Sequence, residues 1–246
     1  MPSERVGIVV QVRMGSTRLP GKALMPIEGK PLLQRLCDRV SRSCQADALV
    51  VATSDQPADD AIEAACHAWG VPVFRGPERD PVVRLIGAAR PYALALIVRV
   101  TGDNPLTDPR GIDKLIEVYQ DSGPDWASNG HPDGYPCGTG ADLFRVSALK
   151  RCSRAMNDGH ERENFPVFLR AHPGQFPFLK LEAPPHLVRS NYFLSVDYPE
   201  DAALLGSVYA HFGGRDDMPL PAILEYLDTH PELARLNCHL HQPYTD

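Results

Sequence analysis

Three short runs of apolar, β-branched residues set what this chain can fold into. The first is Val6-Gly7-Ile8-Val9-Val10-Gln11-Val12, and comparable runs recur at 48–53 and 94–100. A strand with one face in water alternates polar and apolar side chains. A nearly continuous run fits a strand buried on both faces, the condition of a parallel sheet. Between the runs lie segments of helical spacing, with Leu33, Leu36 and Val40 on one face and Ile62, Ala65, Cys66 and Trp69 on another. This alternation predicts βαβ crossovers and an α/β fold with a doubly wound sheet covered on both faces. In such sheets ligands bind at the carboxyl ends of the strands.

Further along, Asp108-Pro109 reads as an N-cap followed by proline at the first helical position, opening a helix with Ile112, Leu115, Ile116 and Tyr119 turned inward. Residues 123–140 carry scattered glycine and proline and read as an irregular acceptor-binding or lid segment. After it the pattern predicts a helix over 160–170, strands over 176–181 and 192–196, and a helix from Pro199 with Ala202, Leu205, Tyr209 and Phe212 on one face. A length of 246 residues suits one large domain. Along it we distinguish a first part over about 1–120, a second over about 121–190 and a closing part over 191–246.

A net charge of −6 argues against duplex nucleic acid as partner, since that binding needs a basic face. The six cysteines form no C-x-x-C pair and read as reduced. No stretch approaches the roughly 20 apolar residues of a membrane span, and the apolar run at 6–10 is too short for a signal peptide. The expectation is a cytoplasmic protein. Cys238-His239-Leu240-His241 crowds three donors into four residues with no second cluster facing them, a poor match to a four-ligand zinc site.

The chemistry concentrates directly after the first strand, in Gln11-Val12-Arg13-Met14-Gly15-Ser16-Thr17-Arg18-Leu19-Pro20-Gly21-Lys22. A glycine-containing loop there presents backbone N–H groups, and Arg13, Arg18 and Lys22 add cations suited to a triphosphate. It is no Walker A loop: five residues separate Gly15 from Gly21, and Ala23 stands where Ser or Thr would bind metal. No G-x-G-x-x-G is present. A solvated basic turn is the bland alternative.

Two acidic segments complete the set. Asp103, in Thr101-Gly102-Asp103-Asn104-Pro105, and Asp197, in Ser195-Val196-Asp197-Tyr198-Pro199, each fall just past a strand run. Mg²⁺ takes one or two carboxylates plus phosphate oxygens and waters, which this pair can supply. Asp201 reads instead as an acid favoured in a first helical turn.

The loop at 11–22, the stretch Arg99-Val100-Thr101-Gly102-Asp103-Asn104-Pro105-Leu106-Thr107-Asp108-Pro109 and the stretch Val196-Asp197-Tyr198-Pro199-Glu200-Asp201 together resemble the sugar-acid cytidylyltransferase superfamily. The nearest branch is the SpsF type, named for spore-coat polysaccharide biosynthesis and similar to the 3-deoxy-manno-octulosonate cytidylyltransferases. The resemblance also takes in Val50-Val51-Ala52-Thr53-Ser54 and Val73-Phe74-Arg75-Gly76. It implies a Rossmann-like three-layer α/β/α nucleotidyltransferase with a mostly parallel sheet, CTP and Mg²⁺ as requirements, and a homodimer. By the same resemblance Lys22 contacts the phosphates, Arg13 and the neighbouring backbone line the nucleotide site, and Asp103 and Asp197 bind the metal. We assign catalysis to Lys22, Arg18 and Asp103. The nucleotide falls to Gln11, Val12, Arg13, Met14, Gly15, Ser16, Lys22, Thr53, Thr101 and Asp103.

The expected reaction is in-line attack of an acceptor oxygen on the α-phosphorus of CTP with loss of pyrophosphate, chemistry dominated by positioning and charge neutralisation. A nucleotide-sugar glycosyltransferase fits less well, because the acidic loop holds no D-x-D. A non-catalytic nucleotide-binding protein is the other rival. For a small anionic acceptor the candidates are Arg75, Arg84, His131, Tyr135, Asp142 and Arg162. Two segments, Tyr135-Pro136-Cys137-Gly138-Thr139-Gly140-Ala141-Asp142 and Glu163-Asn164-Phe165-Pro166, depart from the pattern of SpsF-type relatives. The departures lie outside the nucleotide motifs, so the common eight- and nine-carbon sugar acids are expected to be poor acceptors.

Overall fold

The structure, a computed structural model, describes residues 4–130, 134–157 and 159–241. At its centre is β1 (Val6–Gln11). The basic loop follows, then the small hairpin of β2 (Pro26–Ile27) and β3 (Lys30–Pro31), then α1 (Leu32–Val40). β4 (Ala48–Ser54) leads to α2 (Asp60–Trp69), β5 (Val73–Gly76) to α3 (Pro81–Ala89), and β6 (Leu96–Thr101) to α4 (Pro109–Ser122). β7 (Trp126–Ser128) and β8 (Asp142–Arg145) are followed by α5 (Val146–Ala155), α6 (Gly159–Glu163) and α7 (Phe165–Ala171). β9 (Phe178–Lys180), α8 (Pro199–His211), α9 (Leu220–Thr229) and α10 (Pro231–Ala234) complete the set.

The main sheet has seven strands in the order β5-β4-β1-β6-β8-β7-β9. Only β8 runs against its neighbours β6 and β7; the other adjacent pairs are parallel. In β1 the period of two sends Ile8 and Val10 into a core with α1, α2 and α4, while Val9 joins a core with α3, α5 and α7 on the opposite face. Both faces are buried, which is why the run reads as continuous and why three layers form. A third apolar cluster joins Leu106, Tyr135, Leu194 and Val196 to α8 and α9. Asp108 caps α4 through Gly111 N–H at 3.1 Å, with Pro109 in the first turn. No helix among the described residues is long and apolar enough to cross a membrane.

Several expectations need correction. Residues 192–196 form no strand: Leu194 N–H donates to Cys137 O and Val196 N–H to Asp103 O, each at 2.8 Å, and both side chains enter the third cluster. An apolar alternation reports burial, and here the burial lies outside the sheet. The helix expected over 160–170 is broken at Asn164, because Pro166 in the first turn of α7 lacks an N–H to continue α6. The irregular stretch 123–140 contains β7, a buried strand of the main sheet.

Candidate active site

Register places Gln11 beside both Ala52 and Thr101 at the carboxyl edge of the sheet. From there the basic loop departs, and its path is set by a residue the sequence reading passed over. The Asp59 carboxylate, 1% exposed, accepts from Met14 N–H at 2.7 Å with Oδ1; its Oδ2 takes Thr53 Oγ1 and Ser54 N–H, each at 2.9 Å, and the Ser54 hydroxyl. Burial pushes this carboxyl up, but hydrogen bonds from Ser54, Met14 and Thr53 outweigh it and hold it below the usual range. Thr53, assigned to the nucleotide from the sequence, is fully buried with its hydroxyl committed to Asp59, and it lines neither cavity described below. Asparagine at position 59 would turn an amide donor against one set of these donors. Asp59→Asn is expected to cost about 2 kcal/mol, lowering the melting temperature by about 4–8 °C and raising the KM for CTP. Thermal denaturation and a CTP titration check both.

At its far end the loop turns through Gly21, φ 75°, into the 3-10 turn Lys22–Leu24. This aims Lys22 across the sheet edge. Its Nζ lies 2.9 Å from Asp103 Oδ2, 2.9 Å from Asp197 Oδ1 and 2.7 Å from Val196 O. Burial disfavours the charge, yet the carboxylates prevail and raise the lysine above its ordinary value. Arg18 Nη2 adds a contact of 2.9 Å to Asp197 Oδ1. Gly102 lets the acidic loop approach this closely, since a Cβ there would come within 2.5 Å of Val12 Cβ.

Arg18, Lys22, Asp103 and Asp197 line a cavity of about 270 Å³. Gln11, Val12, Gly15, Ser16 and Thr101 also line it, as do Arg13, Glu78, Pro81, Arg84 and Glu163. Arg84 is 2% exposed, with Nη1 donating to Pro77 O and Glu78 O and Nε without a partner. A second cavity of about 290 Å³ shares Thr101 and is lined by Arg99, Asp142, Pro166 and Arg170. Arg99 spans the two, with Nε on Gln11 Oε1 and Nη1 on Asp142 Oδ2, both at 2.8 Å.

Three acceptor candidates line neither cavity. Arg75 is tied to Asp60 Oδ1 (2.7 Å) and Glu63 Oε2 (2.8 Å), fastening β5 to α2. Arg162 Nη1 meets Asp80 Oδ2 at 2.7 Å, and Nη2 reaches Ser153 O and Met156 O. Tyr135 belongs to the third apolar cluster, where burial pushes its phenol up to about 12. Ion pairs claim the two arginines, and the apolar cluster claims Tyr135. Arg84 and Asp142 do reach the cavities, one each. His131 lies outside the described residues. Arg99 had a signal the reading missed: a charge inside an otherwise apolar strand run must be paired, and its partners lead to both cavities.

Do Asp103 and Asp197 suit a divalent cation? They converge from separate loops on one position held by the Lys22 ammonium, and they offer hard oxygen donors. No group of three or more His, Cys, Asp or Glu able to hold a metal occurs among the described residues. Two converging carboxylates are a protein's share of a Mg²⁺ site completed by phosphate oxygens and water, so the residues fit.

A mostly parallel sheet that carries cations on its first loop, with one carboxylate just past β6 and a second converging on it from the segment before α8, is the framework of a nucleotidyltransferase. Residues 7–204 match the family model described as cytidylyltransferase, and the chain belongs to that family of CTP-dependent enzymes. It is 35% identical over 235 residues to the spore coat polysaccharide biosynthesis protein SpsF of Bacillus subtilis, covering 92% of this chain and 95% of that protein. A 3-deoxy-manno-octulosonate cytidylyltransferase of Anaeromyxobacter dehalogenans is 29% identical over 177 residues, 71% of this chain and 69% of that one. The solved structure of a cytidylyltransferase from Leptospira borgpetersenii superposes with a TM-score of 0.88 at 28% identity, covering 99% and 100% of the two chains.

Proposed function

We propose that this enzyme transfers CMP from CTP to a small anionic acceptor, a sugar acid, sugar phosphate or phosphonate, and releases pyrophosphate, with Mg²⁺ as cofactor. The observation that carries the reading is the Lys22 ammonium between Asp103 and Asp197 on the lining of the first cavity. Two carboxylates held around one cation position, with Arg18 beside them and Arg13 lining the same cavity, supply opposite charges where a triphosphate and its metal would need both.

The roles follow from the geometry. Loop N–H groups and Arg13 bind the nucleotide, while Arg18 and Lys22 neutralise charge on the phosphates as the bond to pyrophosphate breaks. Asp103 and Asp197 would hold Mg²⁺, which when bound supplies charge neutralisation and orientation of the triphosphate. The acceptor occupies the second cavity, where Thr101 borders both spaces. Arg170 offers it a cation: the guanidinium lies 5.8 Å from the centroid of the Trp126 ring and makes no ion pair among the described residues. The Arg99–Asp142 pair supplies polar groups on the same wall. The name of the Bacillus subtilis relative supports an activated product destined for polysaccharide biosynthesis; the reading is completed by a cytoplasmic homodimer as the working form of the enzyme.

The test is a pyrophosphate-release screen of the four ribonucleoside triphosphates against sugar acids, sugar phosphates and phosphonates. Turnover is expected with CTP and an acceptor other than the common eight- and nine-carbon sugar acids. Release of a nucleoside diphosphate from a nucleotide-sugar would instead make the protein a glycosyltransferase.

A further inference from the structure

Asp201 is fully buried, and its carboxylate serves two ends of the molecule. Oδ2 accepts from Asp197 N–H at 2.7 Å and Tyr198 N–H at 2.8 Å, closing the start of α8. A buried carboxylate needs partners on both oxygens. Those of Oδ1 come from beyond residue 204, where the match to the family model stops. Asn237 Nδ2 and His241 Nε2 each lie 2.8 Å away.

The imidazole is seated by aromatic rings. It stacks on Phe193 with centroids 4.8 Å apart and planes at 14°, and meets Tyr198 edge-on at 5.7 Å. Asn237 Nδ2 also donates to Phe193 O at 2.8 Å. The segment held in this way carries Val196, whose carbonyl accepts from Lys22, and Asp197, whose carboxylate faces the same lysine. Cys238 and His239 stay exposed while His241 turns inward, so the Cys-His-Leu-His run is no metal cluster; its last residue is a strut.

We propose that His241 is a positioning residue for Asp197: by holding Asp201 Oδ1, it fixes the backbone that aims the Asp197 carboxylate at the cation position. The proposal rests on the reading of Asp197 as a Mg²⁺ ligand. Groups that hold a ligand from behind commonly affect metal affinity by about 10–100-fold.

The test compares the wild type with His241→Ala and His241→Gln, measuring amide hydrogen exchange at 197 and 198 and calorimetric CTP affinity with and without MgCl₂. In His241→Ala both amides are expected to exchange about tenfold faster or more, while metal-free CTP affinity stays within about twofold. The gain in CTP affinity on adding Mg²⁺ falls at least about fivefold. Glutamine can donate to the same carboxylate oxygen and recovers most of both effects. Wild-type exchange and Mg²⁺ gain in His241→Ala overturn the proposal. So does equal damage in both variants that extends to metal-free CTP binding, which marks a general packing role. A wild-type protein with no Mg²⁺ gain overturns the metal reading itself, before any substitution is made, and the exchange result then decides whether His241 holds the loop.

Discussion

Lys22→Ala is expected to lower kcat/KM for CTP by about 10²–10³-fold, the range seen when one preorganised donor to a developing charge is removed. Lys22 is the group at which the basic loop, the Asp103 loop and the Asp197 segment meet, with three contacts of 2.7 to 2.9 Å. Its removal takes a cation from the phosphates and also leaves two mostly shielded carboxylates facing each other. The second effect is a stability effect, and added Mg²⁺ should reverse it. The melting temperature of the variant should therefore fall in chelator and recover in MgCl₂, whereas activity should not recover. A variant equally unstable in both media would show that Lys22 serves the fold through packing alone. Lys22→Arg is not a conservative control, because a planar fork cannot reproduce a compact ammonium placed between two carboxylates.

Asp103→Asn and Asp197→Asn should each keep the fold and lower turnover by two orders of magnitude or more, equivalent to at least about 2.7 kcal/mol of transition-state stabilisation. Asparagine preserves the shape, and Lys22 keeps one carboxylate and the Val196 carbonyl in either variant. Asp197→Asn also weakens the hold on Arg18, so its loss should be the larger of the two. Both residues act on one cation position. The double variant should then be far less impaired than the product of the single losses. Steady-state kinetics across an Mg²⁺ series, with melting temperatures as control, checks each statement. A collapsed melting temperature would assign that aspartate to the fold.

How much of this was legible depended on the range of the interaction involved. Val6, Ile8, Val9 and Val10 announced a strand buried on both faces, and the Asp108-Pro109 pair announced its helix, since each signal lies within a few consecutive residues. Residues 192–196 and 160–170 were misread because apolar pattern reports burial without saying against what, and because Pro166 interrupts a pattern that otherwise continues. Among the acceptor candidates, arginine side chains were judged by type alone. Arg75 and Arg162 proved to be fasteners, while Arg99 and Arg170, inside a strand and on a short helix, reach the cavities.

The sequence by itself determined that Arg13, Arg18, Lys22 and Asp103 stand at the carboxyl edge of a mostly parallel sheet. Chain direction and strand burial put those residues there, and both are local properties. Asp197, by contrast, follows no strand and is brought to that edge by the bond from Val196 N–H to Asp103 O. Only the tertiary structure decided which charges are free to meet a substrate and which are committed elsewhere. Lys22 and Asp197 lie 175 residues apart, Asp59 reaches back 45 residues to Met14, and Asp201 reaches 40 residues forward to His241. Such pairings depend on side chains brought together by packing of the whole core, and no spacing along the chain encodes them.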